Sequence, residues 1–421
     1  MRERILLCLC HMSGREMDFI KEAFADNWVV PLGPNVDGFE ADLEKFVNNR
    51  EGSTPLDRRV VALSSGTAAV HLALIAAGVG AGDEVMVQSF TFCASVNPIA
   101  YLGAVPVFVD SEPETWNMDP ELLEKGILDR IAVTGRKPKA IIPVALYGMP
   151  YQIDRILEIG ERYDIPVIED AAEGFGSRFD GEVLGTFGRY GVLSFNGNKM
   201  ITTSGGGALI CRDKESAKHI LWLATQARES YPYYQHETIG YNYRLSNICA
   251  GIGRGQMTIV DRHIAHHRHV QALYSELFKG VAGVKLHCNP SARYDSNFWL
   301  CAITLDEGVR VKGEEEVYKS VVKGAVGGAA GCVHAASAAE TDCQPDRCVE
   351  AMRVALDKAN VEARPLWKPM HRQPVFKGSP AYVNGESERL FRRGLCLPAG
   401  PYVTDDDVRY IVDTIKEAII Y

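Results

Sequence analysis

Positive charge is in deficit in this chain: 45 Lys and Arg stand against 54 Asp and Glu, for a formal charge of −9. A nucleic-acid surface needs the opposite balance, so no nucleic-acid partner is expected. No run approaches the roughly 18 consecutive apolar residues that span a bilayer, so no membrane partner is expected either. The N-terminal stretch Ile5 to Cys10 is too short for a signal-peptide core, and no A-x-A site follows it; a buried N-terminal strand is the better expectation. Paired cysteines are missing as well. The 11 cysteines are odd in number and scattered without a CxxC, and the CxC of Cys8 and Cys10 is a weak metal signal. That usage reads as reduced thiols in a cytoplasmic protein.

What is present is apolar mass and alternation. A hydrophobic content of 46% over 421 residues supports a large core and two or three domains. Short apolar strands alternate with helices from residue 59 to 210, which predicts an α/β domain with a mostly parallel sheet. Upstream, residues 15–28 predict a helix with Met17, Ile20, Ala23 and Phe24 on one face. Downstream, a long helix is expected to run to about residue 280. It carries His263, His266, His267 and His269, whose spacing would suit a metal, but no acid or cysteine partner follows. A solvated helix face, and no metal, is the expectation. Phe298 to Leu305 reads as a strand, residues 323–339 as a Gly- and Ala-rich excursion, and residues 404–420 as a closing helix.

Four pieces of the α/β stretch carry chemistry. Ser64-Ser65-Gly66-Thr67 joins a strand to a helix, and free N–H groups at a helix start bind phosphate. An ordinary helix cap reads the same way. Phe92 lies in a strand-to-helix loop, where core packing is the plainer role. Asp170 ends the strand Ile165 to Asp170, where α/β sheets put their ligands. Lys199 sits between two strands, followed by Gly205-Gly206-Gly207. Together they make the set that pyridoxal phosphate requires: an amine for its aldehyde, an acid for its ring nitrogen, a flat cover and a phosphate cradle.

In this order the motifs resemble the DegT/DnrJ/EryC1/StrS aminotransferases. Ser65-Gly66-Thr67, Thr91-Phe92, Glu169 to Ala172, Ser194 to Lys199 and Gly240 to Arg244 each match a family segment. The resemblance implies the aspartate-aminotransferase (type I) fold. Its large domain has a mostly parallel seven-stranded sheet (residues 1–265, with 1–35 near the active site), and its smaller α+β domain covers 266–421. It also implies roles. Lys199 forms the Schiff base and moves the proton, Asp170 holds the ring nitrogen, Glu173 lies near the ring hydroxyl, and Phe92 stacks on the ring. Gly66, Thr67 and Ser194 hold the phosphate. Asn242 reaches the phosphate of a neighbouring subunit, which implies a homodimer with shared sites. Asn196 stands where many relatives have His.

The segments His11 to Gly14, Pro31 to Val36 and Arg364 to His371 are similar to those of the subgroup acting on UDP-4-keto-6-deoxy-N-acetyl-hexosamines. That likeness implies substrate contacts from Met12, Ser13, Asn196, Arg244, Trp367 and His371. It further implies an amino-acid donor, L-glutamate, and a UDP-4-amino sugar made for bacterial glycan, capsule or lipopolysaccharide.

Overall fold

The computed structural model describes residues 2–50, 53–317 and 343–420, so the Gly- and Ala-rich stretch 323–339 lies outside the described residues. Its centre is a sheet of seven principal strands, with the two-residue strand Ala381–Tyr382 added in parallel at the Val105–Val109 edge. One half runs Val105–Val109, Glu84–Gln88, Ala140–Ile142, all parallel. Bridges from Ile141 to Val167 and from Val144 to Asp170 join that half to Ile168–Asp170. Tyr190–Ser194 follows in parallel, then Gly207–Cys211 and Arg59–Leu63. Gly207–Cys211 alone runs antiparallel to its neighbours, so the sheet is mostly parallel as expected. Val105–Val109, Tyr190–Ser194 and Gly207–Cys211 are almost wholly apolar because both faces are covered, which suits a parallel sheet. The parallel strands end on one side of the sheet, which gathers Ser64, Ser89, Asp170 and Ser194 along a single edge.

A second sheet is antiparallel and joins Val284–Leu286, Cys301–Leu305, Gly394–Leu397 and Arg364–Pro365. Helices Val260–Leu277, Arg347–Lys358 and Asp405–Ala418 cover it, and Val270, Tyr274, Met352, Leu356 and Ile411 fill the core between. The last of these helices opens with a capping box, Thr404 with Asp407, and buries Val408, Ile411 and Ile415. Helix Val260–Leu277 feeds both cores, with Ile264 in the large one and Tyr274 in the small one. Among the described residues no helix is long and apolar enough to cross a membrane.

Four local expectations need correction. The N-terminal strand is only an extended segment with one bridge, Ile5 to Val361, because Leu6 and Leu9 face outward. Helix Glu16–Ala25 buries Glu16 and Ala23, whereas Met17 and Phe24 are 54% and 62% exposed. The reason is close packing on helix Asn247–Met257: a Cβ at Gly255 would fall 2.8 Å from the Glu16 backbone nitrogen, so this side of the helix is the one that fits. Helix Val260–Leu277 is the long helix expected there, but the strand expected from Phe298 begins only at Cys301. The histidine face is not solvated. His263 and His267 are buried and bond the Met200 and Phe298 carbonyls through Nδ1, while His269 alone is exposed, against Asp405. Burial pushes His267 down to about 3.

Candidate active site

Lys199 follows strand Tyr190–Ser194, in a turn whose backbone is held by the Lys199 N–H on the Asn196 carbonyl. Its Nζ lies 3.3 Å from Glu173 Oε1 and 3.9 Å from the centroid of the Trp299 ring. Glu173 is buried and accepts the Tyr147 backbone N–H on its other oxygen at 2.8 Å. Asp170 is buried at the end of its strand. Its Oδ2 accepts the Ser95 hydroxyl at 2.6 Å and its Oδ1 the Ala172 N–H at 3.1 Å. Burial pushes both carboxyls up, and Lys199 pulls each back toward ionisation.

The neighbouring acid behaves differently. Successive side chains of a strand point to opposite faces, so Glu169 turns away from Asp170. It accepts the N–H groups of Gly185, Phe187 and Gly188 at 3.1, 2.7 and 2.6 Å, and so ties down the turn behind the sheet.

A cavity of about 340 Å³ opens over these groups. Asp170, Glu173 and Lys199 line it, as do Gly66 and Thr67 at the start of helix Gly66–Ala76. Ser65 caps that helix by accepting the Ala68 N–H at 3.0 Å, and the N–H groups of Gly66 and Thr67, which have no partner within the helix, lie at the cavity lining. Ser194 lies across from Gly66, where a Cβ would come 3.2 Å from the Ser194 Cβ. Phe92, half exposed, and Trp367 form the outer wall, their ring centroids 5.6 Å apart; Asn196 is also on the lining.

Five expected residues lie elsewhere. The guanidinium of Arg244 is buried against Glu40 and the Ala62 carbonyl, so it is taken up within the fold. His371 is bonded to Ser89 and Glu388 behind the wall. Met12 is exposed outside the cavity, and Ser13 Oγ accepts the Arg15 N–H. Asn242 is exposed, next to Thr225, and is not on this chain's own cavity.

Sequence reasoning missed Trp299, Ser95 and Tyr147. Each meets the site through a contact distant in sequence, and none sits in a matching motif. Asn297 is the knot behind them: its amide donates to the Glu173 and Phe175 carbonyls, and its Oδ1 accepts the Trp299 N–H. Among the described residues no three His, Cys, Asp or Glu side chains gather to hold a metal.

These groups fit pyridoxal phosphate. A buried carboxylate bonded by one hydroxyl and one N–H has no cation in hydrogen-bond contact, and a protonated ring nitrogen would supply one. An amine, a helix start and an aromatic stand around the same space. Comparison with known proteins decides the matter: the model of the DegT/DnrJ/EryC1/StrS aminotransferase family matches residues 11–331 and 330–416.

The chain belongs to the DegT/DnrJ/EryC1/StrS aminotransferase family.

This aminotransferase is 41% identical over 419 residues to the protein named "Putative pyridoxal phosphate-dependent aminotransferase EpsN" of Bacillus subtilis (strain 168), covering 99% of this chain and 96% of that one. It is 33% identical over 407 residues to the GDP-perosamine synthase of Escherichia coli O157:H7, covering 96% of each. Among solved structures it superposes on a DegT/DnrJ/EryC1/StrS aminotransferase from Brucella abortus with a TM-score of 0.80 at 28% identity, over 96% of this chain and 95% of that one. The DegT/DnrJ/EryC1/StrS aminotransferase thus has the type I fold and depends on pyridoxal phosphate.

Proposed function

We propose that this aminotransferase moves an amino group from L-glutamate to C4 of a UDP-4-keto-6-deoxy-N-acetyl-hexosamine, giving a UDP-4-amino sugar for a bacterial glycan. The observation that carries the reading is the Lys199 amine 3.3 Å from Glu173 in the cavity that also holds Asp170 and the helix start at Gly66. When bound, pyridoxal phosphate supplies the electron sink that lets the donor Cα–H bond break.

The chain's own residues do the rest. Lys199 anchors the cofactor aldehyde, then takes the Cα proton of the donor and returns one on the other side of the transfer. Glu173 orients Nζ for that exchange. Asp170 keeps the ring nitrogen protonated, held in place by Ser95 and Ala172. The N–H groups at Gly66 and Thr67, with the Ser194 hydroxyl, take the phosphate. Phe92 covers a ring face, and Trp367 and Asn196 meet the sugar.

The working unit in this reading is a homodimer in the cytoplasm, built from domains 1–265 and 266–421. Exposed Phe24, Trp28, Val29 and Leu32 offer an apolar surface for a second copy, and exposed Asn242 is free to reach the partner's phosphate. The described cysteines are all free thiols, in keeping with a reducing compartment.

A second reading, a GDP-linked 4-keto-6-deoxy-hexose as acceptor, is favoured by the 33% identity to a GDP-perosamine synthase. Incubation with glutamate and each ketosugar in turn, followed by NMR of the product, tests both. An amine at C4 of the UDP sugar is expected; an amine on the GDP sugar alone overturns the first reading, and no amine on either overturns both.

A further inference from the structure

The likeness to UDP-sugar transaminases assigns His371 to the substrate, yet both of its ring nitrogens are engaged behind the cavity wall. Nδ1 lies 2.6 Å from Ser89 Oγ and Nε2 lies 3.2 Å from Glu388 Oε1. We propose that Ser89, His371 and Glu388 form a pin that sets the Trp367 wall against the Phe92 loop, making His371 a positioning residue for the amino acceptor. The proposal rests on the nucleotide-ketosugar reading above.

The hydrogen bonds fix the direction of the pin. The Glu388 carboxylate can only accept, so it takes its hydrogen bond from Nε2, and Ser89 Oγ, which accepts the His371 backbone N–H at 3.2 Å, gives its own proton to Nδ1. The ring proton then sits on Nε2, facing the Glu388 carboxylate. Ser89 is fully buried, so the trio is not a hydrolase triad despite its composition. The Ser89 carbonyl also accepts the Met370 N–H at 2.8 Å, a third tie between the two segments.

Both ends of the pin stand on the large sheet. Ser89 follows strand Glu84–Gln88 directly. Glu388 rides on helix Glu386–Arg393, whose start is held by buried Asp110 at the end of the adjacent strand: Asp110 accepts the N–H groups of Asn384, Gly385 and Ser387. Arg372 stands 3.7 Å from the other Glu388 oxygen. His371 therefore clamps the strap 367–371 between two fixed points.

What the strap carries is one side of a gap. Trp367 and Phe92 line the catalytic cavity and also a second cavity of about 440 Å³ reaching Cys93, Lys368 and Gln373. Loosening the strap changes the width of that gap but leaves Lys199, Asp170 and Glu173 on elements of their own. A small amino acid is indifferent to the gap; a bulky nucleotide sugar is not. The pin thus acts on acceptor binding and not on the proton transfers.

Ser89→Ala, Glu388→Ala and the double variant, each as holoenzyme, test this. The ketosugar KM is expected to rise about tenfold, with kcat and the amino-donor half-reaction changed less than about twofold. The double variant is expected to cost no more than the worse single one, because both break the same pin. Glu388→Gln keeps an acceptor oxygen for Nε2–H and is expected to retain the parent KM. Hydrogen exchange at the Met370 and His371 amides, which needs no substrate, is expected to speed up about tenfold in the Ala variants. Unchanged KM with unchanged exchange overturns the pin, as does a donor half-reaction that slows along with the acceptor one. If the parent enzyme aminates no ketosugar, the functional reading fails, and unchanged exchange alone then overturns the pin.

Discussion

Trp299 lies under the Lys199 side chain, its ring centroid 3.9 Å from Nζ, and gives its own indole N–H to the Asn198 carbonyl at 2.6 Å. A cation over an indole face is worth about 0.5 to 2 kcal/mol when shielded from water. The pair therefore holds the amine over the cavity. Trp299→Phe keeps an aromatic face and is expected to slow the donor half-reaction about threefold; Trp299→Leu removes the face and is expected to slow it about tenfold. Stopped-flow absorbance of the bound cofactor reads both rates. Equal rates in the two variants would leave the ring face without a role.

Asp170 is expected to cost the apoenzyme stability. Burial, the largest influence on its carboxyl, pushes it up further than Ser95, Ala172 and Lys199 pull it down. The folded chain therefore holds that proton more tightly than the unfolded one. Stability falls as pH rises from about 4, the unfolded value, through the raised folded value, and the deficit persists at neutral pH. Asp170→Asn should thus raise the melting temperature of the apoenzyme at pH 7 while abolishing transamination. Calorimetry checks the first and single-turnover kinetics the second; a lowered apo melting temperature would refute the assignment.

Glu173 does two tasks that substitutions can separate. Glu173→Gln keeps an acceptor for the buried Tyr147 N–H but gives up the charge beside Lys199. Glu173→Ala loses both and leaves an unpaired buried donor, which costs about 1 to 3 kcal/mol. Urea unfolding is expected to rank Ala well below Gln in stability, while both variants lose activity. If Ala and Gln unfold at the same denaturant concentration, the Tyr147 contact contributes nothing.

Shared active sites predict complementation. Lys199→Ala and Asn242→Ala damage different halves of one site if Asn242 serves the partner. Each variant alone should be inactive or nearly so. Mixed by co-expression, half the dimers are hybrid and carry one intact site, so about a quarter of the parent activity should return. No recovery, with sedimentation confirming hybrid dimers, would put Asn242 back on its own chain.

His267 and His287 are both buried, and burial pushes each down to about 3. The unfolded chain takes up protons at these positions near pH 6.5, while the folded chain does not until about pH 3. Their neutral forms therefore stabilise the fold above pH 6.5, and that stability drains as pH falls toward 3. His267→Gln should flatten the loss measured by urea unfolding between pH 7 and pH 5, and an unaltered slope would contradict it.

Strand-end chemistry was legible in the sequence because it is local. Asp170, Ser194, Gly66 and Lys199 each sit at a break between an apolar run and a polar turn, and a parallel sheet brings all such breaks to one edge. Contacts made across the fold were not legible. Nothing around Trp299 says that it will lie under a lysine 100 residues earlier, and Ser95 gives no hint that it serves Asp170. The histidine helix misled for the same reason: polar side chains suggest water, but His263 and His267 find carbonyl partners only after Met200 and Phe298 have packed against them. Arg244 shows the reverse case. A motif suggested a ligand for it, and a glutamate on helix Pro34–Val47 took the guanidinium first.

The back-to-back acids of strand Ile168–Asp170 make this short element intolerant of length change. Deleting a single residue there would swap the two carboxylates, turning Glu169 toward the vitamin and Asp170 toward the three amides it is too short to gather. The length of the strand is therefore as much a part of the site as the two acids it carries.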